Sequence, residues 1–395
     1  EMGNRNTDAA DMDLAVGIII KDCIFRNSTS TDVVIIDCLE DGLIENCFFD
    51  NCRYRVAGTD SRAIQLQIHI NNVTIRDCTF RDIGADGILF ADNAVTDADK
   101  YMGNNVIEDC LFTISNPYQY RDYMGNVTTA PGIGTYCGEN GIDIKYGDEN
   151  NIIRNCVFQH FRKADGSTDD ASGSNGVGLT MHFYASGFDI YNNTFRDNSR
   201  GLACSAPTGT PLLDIKTRVF NNVFTQSGFC GVALDRGTVD IYGIHVGDCD
   251  NFDFYNNIVH CTDTSTEILV CGNASEDCPP GTVIKNNIFI GAGTFTEGSG
   301  TTAPTASHNC YYDLDEAIPS YLVSGTNVTT DPKLNLSDYT LQGSSPCIGA
   351  GTTPLSETDY HGRYRKTDSS DIGAVWFDAH EDSTVSIILA SGGTV

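Results

Sequence analysis

The sequence predicts an all-β solenoid in which about ten parallel coils stack along one axis and a C-terminal cap follows. Three observations predict it. A six-residue phrase recurs along the chain, apolar and polar residues alternate around each copy, and no stretch shows a long 3.6-residue apolar periodicity.

The first copies are Ile20-Lys21-Asp22-Cys23-Ile24-Phe25, Ile44-Glu45-Asn46-Cys47-Phe48-Phe49, Ile75-Arg76-Asp77-Cys78-Thr79-Phe80 and Ile107-Glu108-Asp109-Cys110-Leu111-Phe112. Further copies occupy residues 153–158, 190–195, 219–224, 254–259 and 284–289, and Ser307-His308-Asn309-Cys310-Tyr311-Tyr312 stands as a degraded tenth. The third column is Asp or Asn in all ten, the fourth is Cys or Asn in all ten, and the sixth is Phe in eight. Copies recur at 23 to 46 residues, which describes a constant rung with loops of variable length.

Alternation marks strands, and the Asp/Asn pair of columns marks a tight bend where a short polar side chain bonds to nearby backbone. Parallel stacking at ~4.8 Å per coil sets each column above itself. The Phe column then becomes one internal aromatic file. Cys23, Cys47, Cys78, Cys110, Cys156, Asn193, Asn222, Asn257 and Asn287 become a ladder along one bend, with Cys310 in the same column. A second strand per coil is expected at Val33-Val34-Ile35-Ile36, Gly87-Ile88-Leu89-Phe90, Gly141-Ile142-Asp143-Ile144-Lys145, Gly176-Val177-Gly178-Leu179 and Gly231-Val232-Ala233-Leu234.

These rungs resemble those of the right-handed parallel β-helix superfamily, the fold of pectate lyases and phage tailspikes. Asn193, Asn222, Asn257 and Asn287 resemble its asparagine ladder. Downstream, Asp331-Pro332, Asp338-Tyr339-Thr340-Leu341, Ser345-Pro346-Cys347-Ile348, Asp359 with Gly362-Arg363, and Asp371-Ile372-Gly373-Ala374 resemble the closing module of secreted bacterial and archaeal β-helix surface proteins. The expected organisation is a β-helix over 1–312, a capping module over 313–380, and a strand or tail over 381–395. Ser383-Thr384-Val385-Ser386-Ile387-Ile388-Leu389-Ala390 in that tail is a lone apolar strand. It either joins this chain's own sheet or pairs with a neighbouring copy.

The chain of 395 residues carries 24 Lys+Arg against 53 Asp+Glu, a net charge of −29. That excludes a basic surface for nucleic acid or anionic membrane. The longest apolar stretches fall short of the ~20 residues of a membrane helix. Sixteen Cys without C-x-x-C pairs favour an oxidising compartment, so an extracellular or cell-surface location is expected. Cys271 and Cys278 flank a short loop and are the candidate local disulfide. The ladder cysteines stand either as small buried substitutes for Asn or as partners between neighbouring rungs. Glycosylation sequons begin at Asn27, Asn72, Asn126, Asn192, Asn273, Asn327 and Asn335. The start at Glu1-Met2-Gly3-Asn4 carries no signal-peptide pattern, as expected of a mature or trimmed end.

The resemblance implies a search for lyase chemistry, in which a Lys or Arg base removes a proton beside a uronate carboxylate that Ca²⁺ neutralises. Lys145 is the candidate base, two residues from Asp143 on the same strand face, and Arg162 is a second candidate. Asp143, Asp148, Asp165, Asp169 and Asp170 are the candidate Ca²⁺ ligands. No Gly-x-Ser-x-Gly elbow, phosphate-binding loop or His-Glu-x-x-His helix is present. Two functions are therefore expected. One is a secreted, non-catalytic surface, adhesive or fibre-forming subunit that binds a polysaccharide or cell-surface glycan and polymerises through coil ends and the C-terminal strand. The other is a Ca²⁺-dependent polysaccharide lyase acting on a polyuronate.

Overall fold

The computed structural model describes residues 14–28, 32–52, 61–91, 101–115, 124, 126, 138–161, 176–205, 216–226, 230–235, 252–262, 267–271, 281–297, 303–365 and 370–377. Three parallel sheets run the length of a solenoid. Among the described residues sheet A has eleven strands, and sheets B and C have ten each. Sheet A holds the long strands, such as Asp32–Glu40, Arg62–Asn71, Asp86–Ala91, Asn140–Gly147 and Val177–Ala185. Sheets B and C hold short ones, such as Leu43–Glu45 and Phe48–Asp50, which come from the two halves of each recurring phrase. Helical structure among the described residues is one 3-10 turn at Ser320–Leu322, and no helix there is long and apolar enough to cross a membrane.

The corner between sheets B and C explains the Asp/Asn column. Asp22, Asn46, Asp77, Asp109, Asn155, Asn192, Asn221, Asn256 and Asn286 all have φ between 52° and 58°. Only residues that tolerate the left-handed region fit there, and Asn and Asp are foremost among non-glycines. In the last rung His308 (φ 54°) takes this corner. The tenth phrase is therefore displaced by one residue from the sequence expectation. Asn309, not Cys310, continues the ladder, and Cys310 opens the strand Cys310–Tyr312. The misalignment arose because His in a left-handed corner does not look like Asp or Asn.

Two corner positions further round repeat the same chemistry, at Asn27, Asn51 and Asp82 and at Asp41, Asn72 and Asn104. The sequons at Asn27, Asn72 and Asn192 thus fall on corner asparagines. Asn72 donates to Asp41 Oδ1 at 2.6 Å, while Asn327 accepts from Asn309 N and donates to Leu322 O, extending the ladder beyond the last rung. Asn126 and Asn335 are exposed, and Asn273 lies outside the described residues.

Inside, Phe25, Phe49, Phe80, Phe112, Phe158, Phe195 and Phe224 form one file with centroids 4.6 to 5.0 Å apart and rings within 10° of parallel. In the next rung the aromatic moves. Val259 takes the Phe column and Phe254 the aliphatic one, so ring and branched side chain exchange places across the core and volume is conserved. Glycines at the entry to sheet A make room for the file. A Cβ on Gly87 would lie 2.5 Å from Gly141 O and 2.7 Å from Phe112 Cδ1.

Outside, charges help set the register. Lys21, Glu45, Arg76, Glu108 and Arg154 stack in one column of sheet B, so each carboxylate lies between two cations. Glu45 pairs with Lys21 at 2.5 Å and with Arg76 at 2.6 Å, and Glu108 pairs with Arg154 at 2.6 Å. The cations of these pairs are half-exposed, so each pair is weak, but like charges would meet in a displaced stacking and the observed one is favoured.

The outward column of sheet C changes character along the rod. Ile24 is 67% exposed, whereas Val223, Ile258, Ile288 and Cys310 are buried beneath Leu341, Cys347, Ile372, Ala374 and Val375. Residues 331–365 and 370–377 therefore lie along the flank of the later rungs. The corner asparagines fasten them: Asn221 donates to Thr358 O, Asn256 to Asp371 O and Gly373 O, and Asn286 to Thr352 O. Asp359 and Asp371 accept backbone N–H groups within the segment, from His361, Arg363 and Trp376 and from Gly349 and Phe377. The Asp and Gly-Arg motifs downstream of the coils are thus backbone staples.

Candidate functional site

The outer face of sheet A carries polar side chains across four successive rungs, in two groups separated by the outward Leu89 and Ala91 of the strand Asp86–Ala91. At the entry corner Asp32, Arg62, Asp86 and Asn140 stand in one register column. Arg62 lies between two carboxylates, with Nη1 3.5 Å from Asp32 Oδ1 and Nε 3.5 Å from Asp86 Oδ2. Asn140 Nδ2 donates to Asp86 Oδ1 at 3.0 Å. With the Gln65 amide oriented to satisfy both its ends, its nitrogen donates to both Asp32 oxygens at 3.3 Å and its oxygen accepts from Gln67 Nε2 at 2.8 Å. Lys145 Nζ lies 3.4 Å from Asp143 Oδ2.

Strand alternation puts Ile142, Ile144, Leu66 and Ile88 into the core, and so Asp143, Lys145, Gln65 and Gln67 onto the outer face. Asp143 and Asp86 are 2% exposed, and Gln67 is 5%. Lys145, with a side chain 34% exposed, forms part of the rim. The floor is desolvated and the edge is wet, which strengthens each polar interaction made there.

Burial raises the Asp86 carboxyl to about 7, with Asp143 adding to it, while Arg62, Lys145 and Asn140 pull it down. Burial alone would lower the Lys145 ammonium, but Asp143, Asp86 and Glu139 outweigh it and push it up. At neutral pH Lys145 is a fixed cation, and Asp86 lies near its titration point. An acid whose folded pKa exceeds its unfolded value of 3.8 contributes stability in full below that value and loses it as pH rises through about 7. The melting temperature of wild type relative to Asp86→Asn should therefore fall between about pH 4 and about pH 8. A difference that stays flat across that window would overturn the assignment.

The sequence-predicted residues divide. Asp143 and Lys145 meet as expected. Asp148 does not join them: its Oδ2 accepts from Met102 N at 2.7 Å and its Oδ1 from Tyr146 OH at 3.4 Å, at the far end of the strand. Burial raises its pKa. Arg162, Asp165, Asp169, Asp170 and Cys278 lie outside the described residues, as does the side chain of Cys271. Among the described residues no three His, Cys, Asp or Glu side chains are grouped to hold a metal ion. Cys23, Cys47, Cys78, Cys110 and Cys156 are thiols. Each donates to the carbonyl two residues before it, at 3.2 to 3.4 Å.

Sequence reasoning missed Asp32, Arg62, Gln65, Gln67, Asp86 and Asn140. A signal was present in the polar residue before each strand glycine, as in Asp86-Gly87-Ile88 and Asn140-Gly141-Ile142, and in Gln65 and Gln67 flanking Leu66.

A right-handed beta helix region model matches residues 1–158. The chain has the right-handed parallel β-helix fold. Among solved structures, this β-helix superposes on the tailspike protein of E. coli bacteriophage HK620 in complex with a pentasaccharide. That match has a TM-score of 0.51 and 12% identity, over 80% of this chain and 51% of that one. The PL6-family polysaccharide lyase of Pseudopedobacter saltans matches over 92% of this chain and 94% of its own, at 11% identity and a TM-score of 0.32. The chain spans about half the length of the tailspike. A search of curated protein sequences finds no match.

Proposed function

We propose that this β-helix is a glycan-binding subunit of a secreted or cell-surface structure, and that the outer face of sheet A at Asp32, Arg62, Gln65, Gln67, Asp86, Asp143 and Lys145 holds the sugar. One observation carries this: amides, carboxylates and two cations converge on one desolvated sheet face with a wet rim. Sugar hydroxyls both donate and accept, so such a mixture suits them. The fold's occurrence in a tailspike solved with a pentasaccharide is in keeping with it. A net charge of −29 repels polyanions at long range and favours a neutral glycan. Adhesion or fibre formation would follow from joining copies at coil ends or through residues 383–390.

Titration of the whole chain with a panel of neutral polysaccharides should reveal binding that Lys145→Ala and Gln67→Ala each weaken about 10- to 100-fold. Arg218→Ala, on sheet B beside Asp189, should leave it unchanged. Loss of affinity in all three variants alike would place the sugar elsewhere.

The Asp143–Lys145 pair also motivates the lyase alternative. Its weakness is chemical, because a base must be neutral to accept a proton, and three carboxylates hold Lys145 charged. Ultraviolet absorbance of unsaturated uronate products, formed from polyuronates with Ca²⁺ and lost in Lys145→Ala, would replace the binding role with the catalytic one.

A further inference from the structure

We propose that Cys310 and Cys347 are a disulfide-forming pair that fastens the C-terminal segment to the last described rung of sheet C. The inference is independent of what sheet A binds. The two residues lie 37 positions apart and reach each other from separately anchored backbones. Cys310 opens the final strand of sheet C, in register with Ile288, and Tyr311 N bonds to Val328 O at 2.9 Å beside it. Cys347 is held by its own N–H to Ser345 Oγ at 3.1 Å, by Ser345 Oγ to Pro332 O at 2.5 Å, and by Ile372 N to the Cys347 carbonyl at 3.0 Å.

Between these supports the two side chains meet. Both are wholly buried in the apolar cluster formed with Ile258, Ile288, Leu341 and Ile372, and the Cys347 thiol is the first influence on the Cys310 thiol. That places the sulfurs adjacent before any bond exists.

The ladder cysteines make the contrast. They stack in parallel register, so their Cβ atoms repeat at about the rung spacing of ~4.8 Å, wider than the ~3.5–4.5 Å a disulfide takes. Each ladder thiol donates to a carbonyl, as the Cys310 thiol does to Thr330 O at 3.8 Å, so it is the rung spacing that sets the ladder apart. They are expected to stay reduced when Cys310 and Cys347 do not.

The step balances with a small-molecule disulfide as oxidant. A thiolate of the pair attacks a sulfur of oxidised glutathione and expels one glutathione thiolate. The second cysteine sulfur then displaces the other. Two S–H bonds are lost, one protein S–S bond forms, both cysteine sulfurs are oxidised, and two glutathione thiols carry away the protons and electrons. The Cys347 thiol and burial together push the Cys310 pKa far up in the folded state, so the exchange belongs to folding, before the cluster closes.

The test uses the full chain, refolded in a mixture of reduced and oxidised glutathione, quenched with an alkylating agent and mapped without reduction. The expected result is a cross-linked peptide joining residues 310 and 347, two fewer alkylated thiols on those positions, and alkylation of Cys47, Cys78, Cys110 and Cys156 after denaturation. The cross-linked form should melt about 5 °C or more above the same protein after reduction. Cys347→Ser should abolish the linked peptide and leave Cys310 alkylated. Folded protein in which both residues are fully alkylated, or in which either is joined to another cysteine, would overturn the proposal.

Discussion

Truncating Phe112 to alanine should remove about 3–5 kcal/mol of folding free energy. Its ring is wholly buried and stacked on both faces, 4.6 Å from Phe80 and 4.8 Å from Phe158. Those neighbours cannot close over the gap, because Leu111-Phe112-Thr113 is hydrogen-bonded in register to the strands before and after it. The void therefore persists, and the lost dispersion is added to the lost burial. Phe25→Ala is the control. That ring is only partly buried and stacks on Phe49 at the first described rung, so its removal should cost less than half as much. Urea unfolding of the two variants reads the difference, and equal losses would mean that the file is not a cooperative core.

The second large effect is on the ladder. Asn222 Nδ2 donates to Ile190 O at 2.9 Å and to Asn257 Oδ1 at 3.0 Å, while Asn222 Oδ1 accepts from Asn193 N at 2.9 Å. Asn222→Ala strands these groups in a site with no solvent exposure, at about 3 kcal/mol. Asn222→Cys should cost about half that. The comparison is built into the molecule, since Cys47 N already donates to Cys78 Sγ at 3.4 Å in the same column. A thiol thus does, more weakly, what the amide does. If Cys and Ala at 222 prove equally harmful by chemical unfolding, the cysteines are mere fillers rather than rungs of the ladder.

The file and the ladder were both legible from the phrase, because stacking turns a sequence column into a spatial one. Legibility failed where the column is held by conformation instead of residue type. His308 occupies the left-handed corner that asparagine and aspartate occupy elsewhere, and this shifted the last copy by one residue. Phe254 and Val259 looked like a lapse in the pattern, yet they are one exchange across the core. The site was half legible. Lys145 and Asp143 are two apart on one strand, so period-two alternation alone brings them together. Arg62, Asp86 and Asn140 come from three coils separated by loops of unequal length, and no spacing rule aligns them. Asp148 shows the converse error: near in sequence to Asp143, it is held by Met102 N on another strand.

Local chemistry was sufficient to determine the repeating rung, its corners, its internal aromatic file and the acidic net charge of the chain. Each of these depends on a side chain's own conformational preference or on its match to a copy of itself. Which polar side chains share the face of sheet A, which corner asparagines hold the C-terminal segment, and which two cysteines meet beneath it were decided only by the tertiary structure. The physical reason is that loop lengths vary from coil to coil, so rung register, not distance along the chain, sets those encounters.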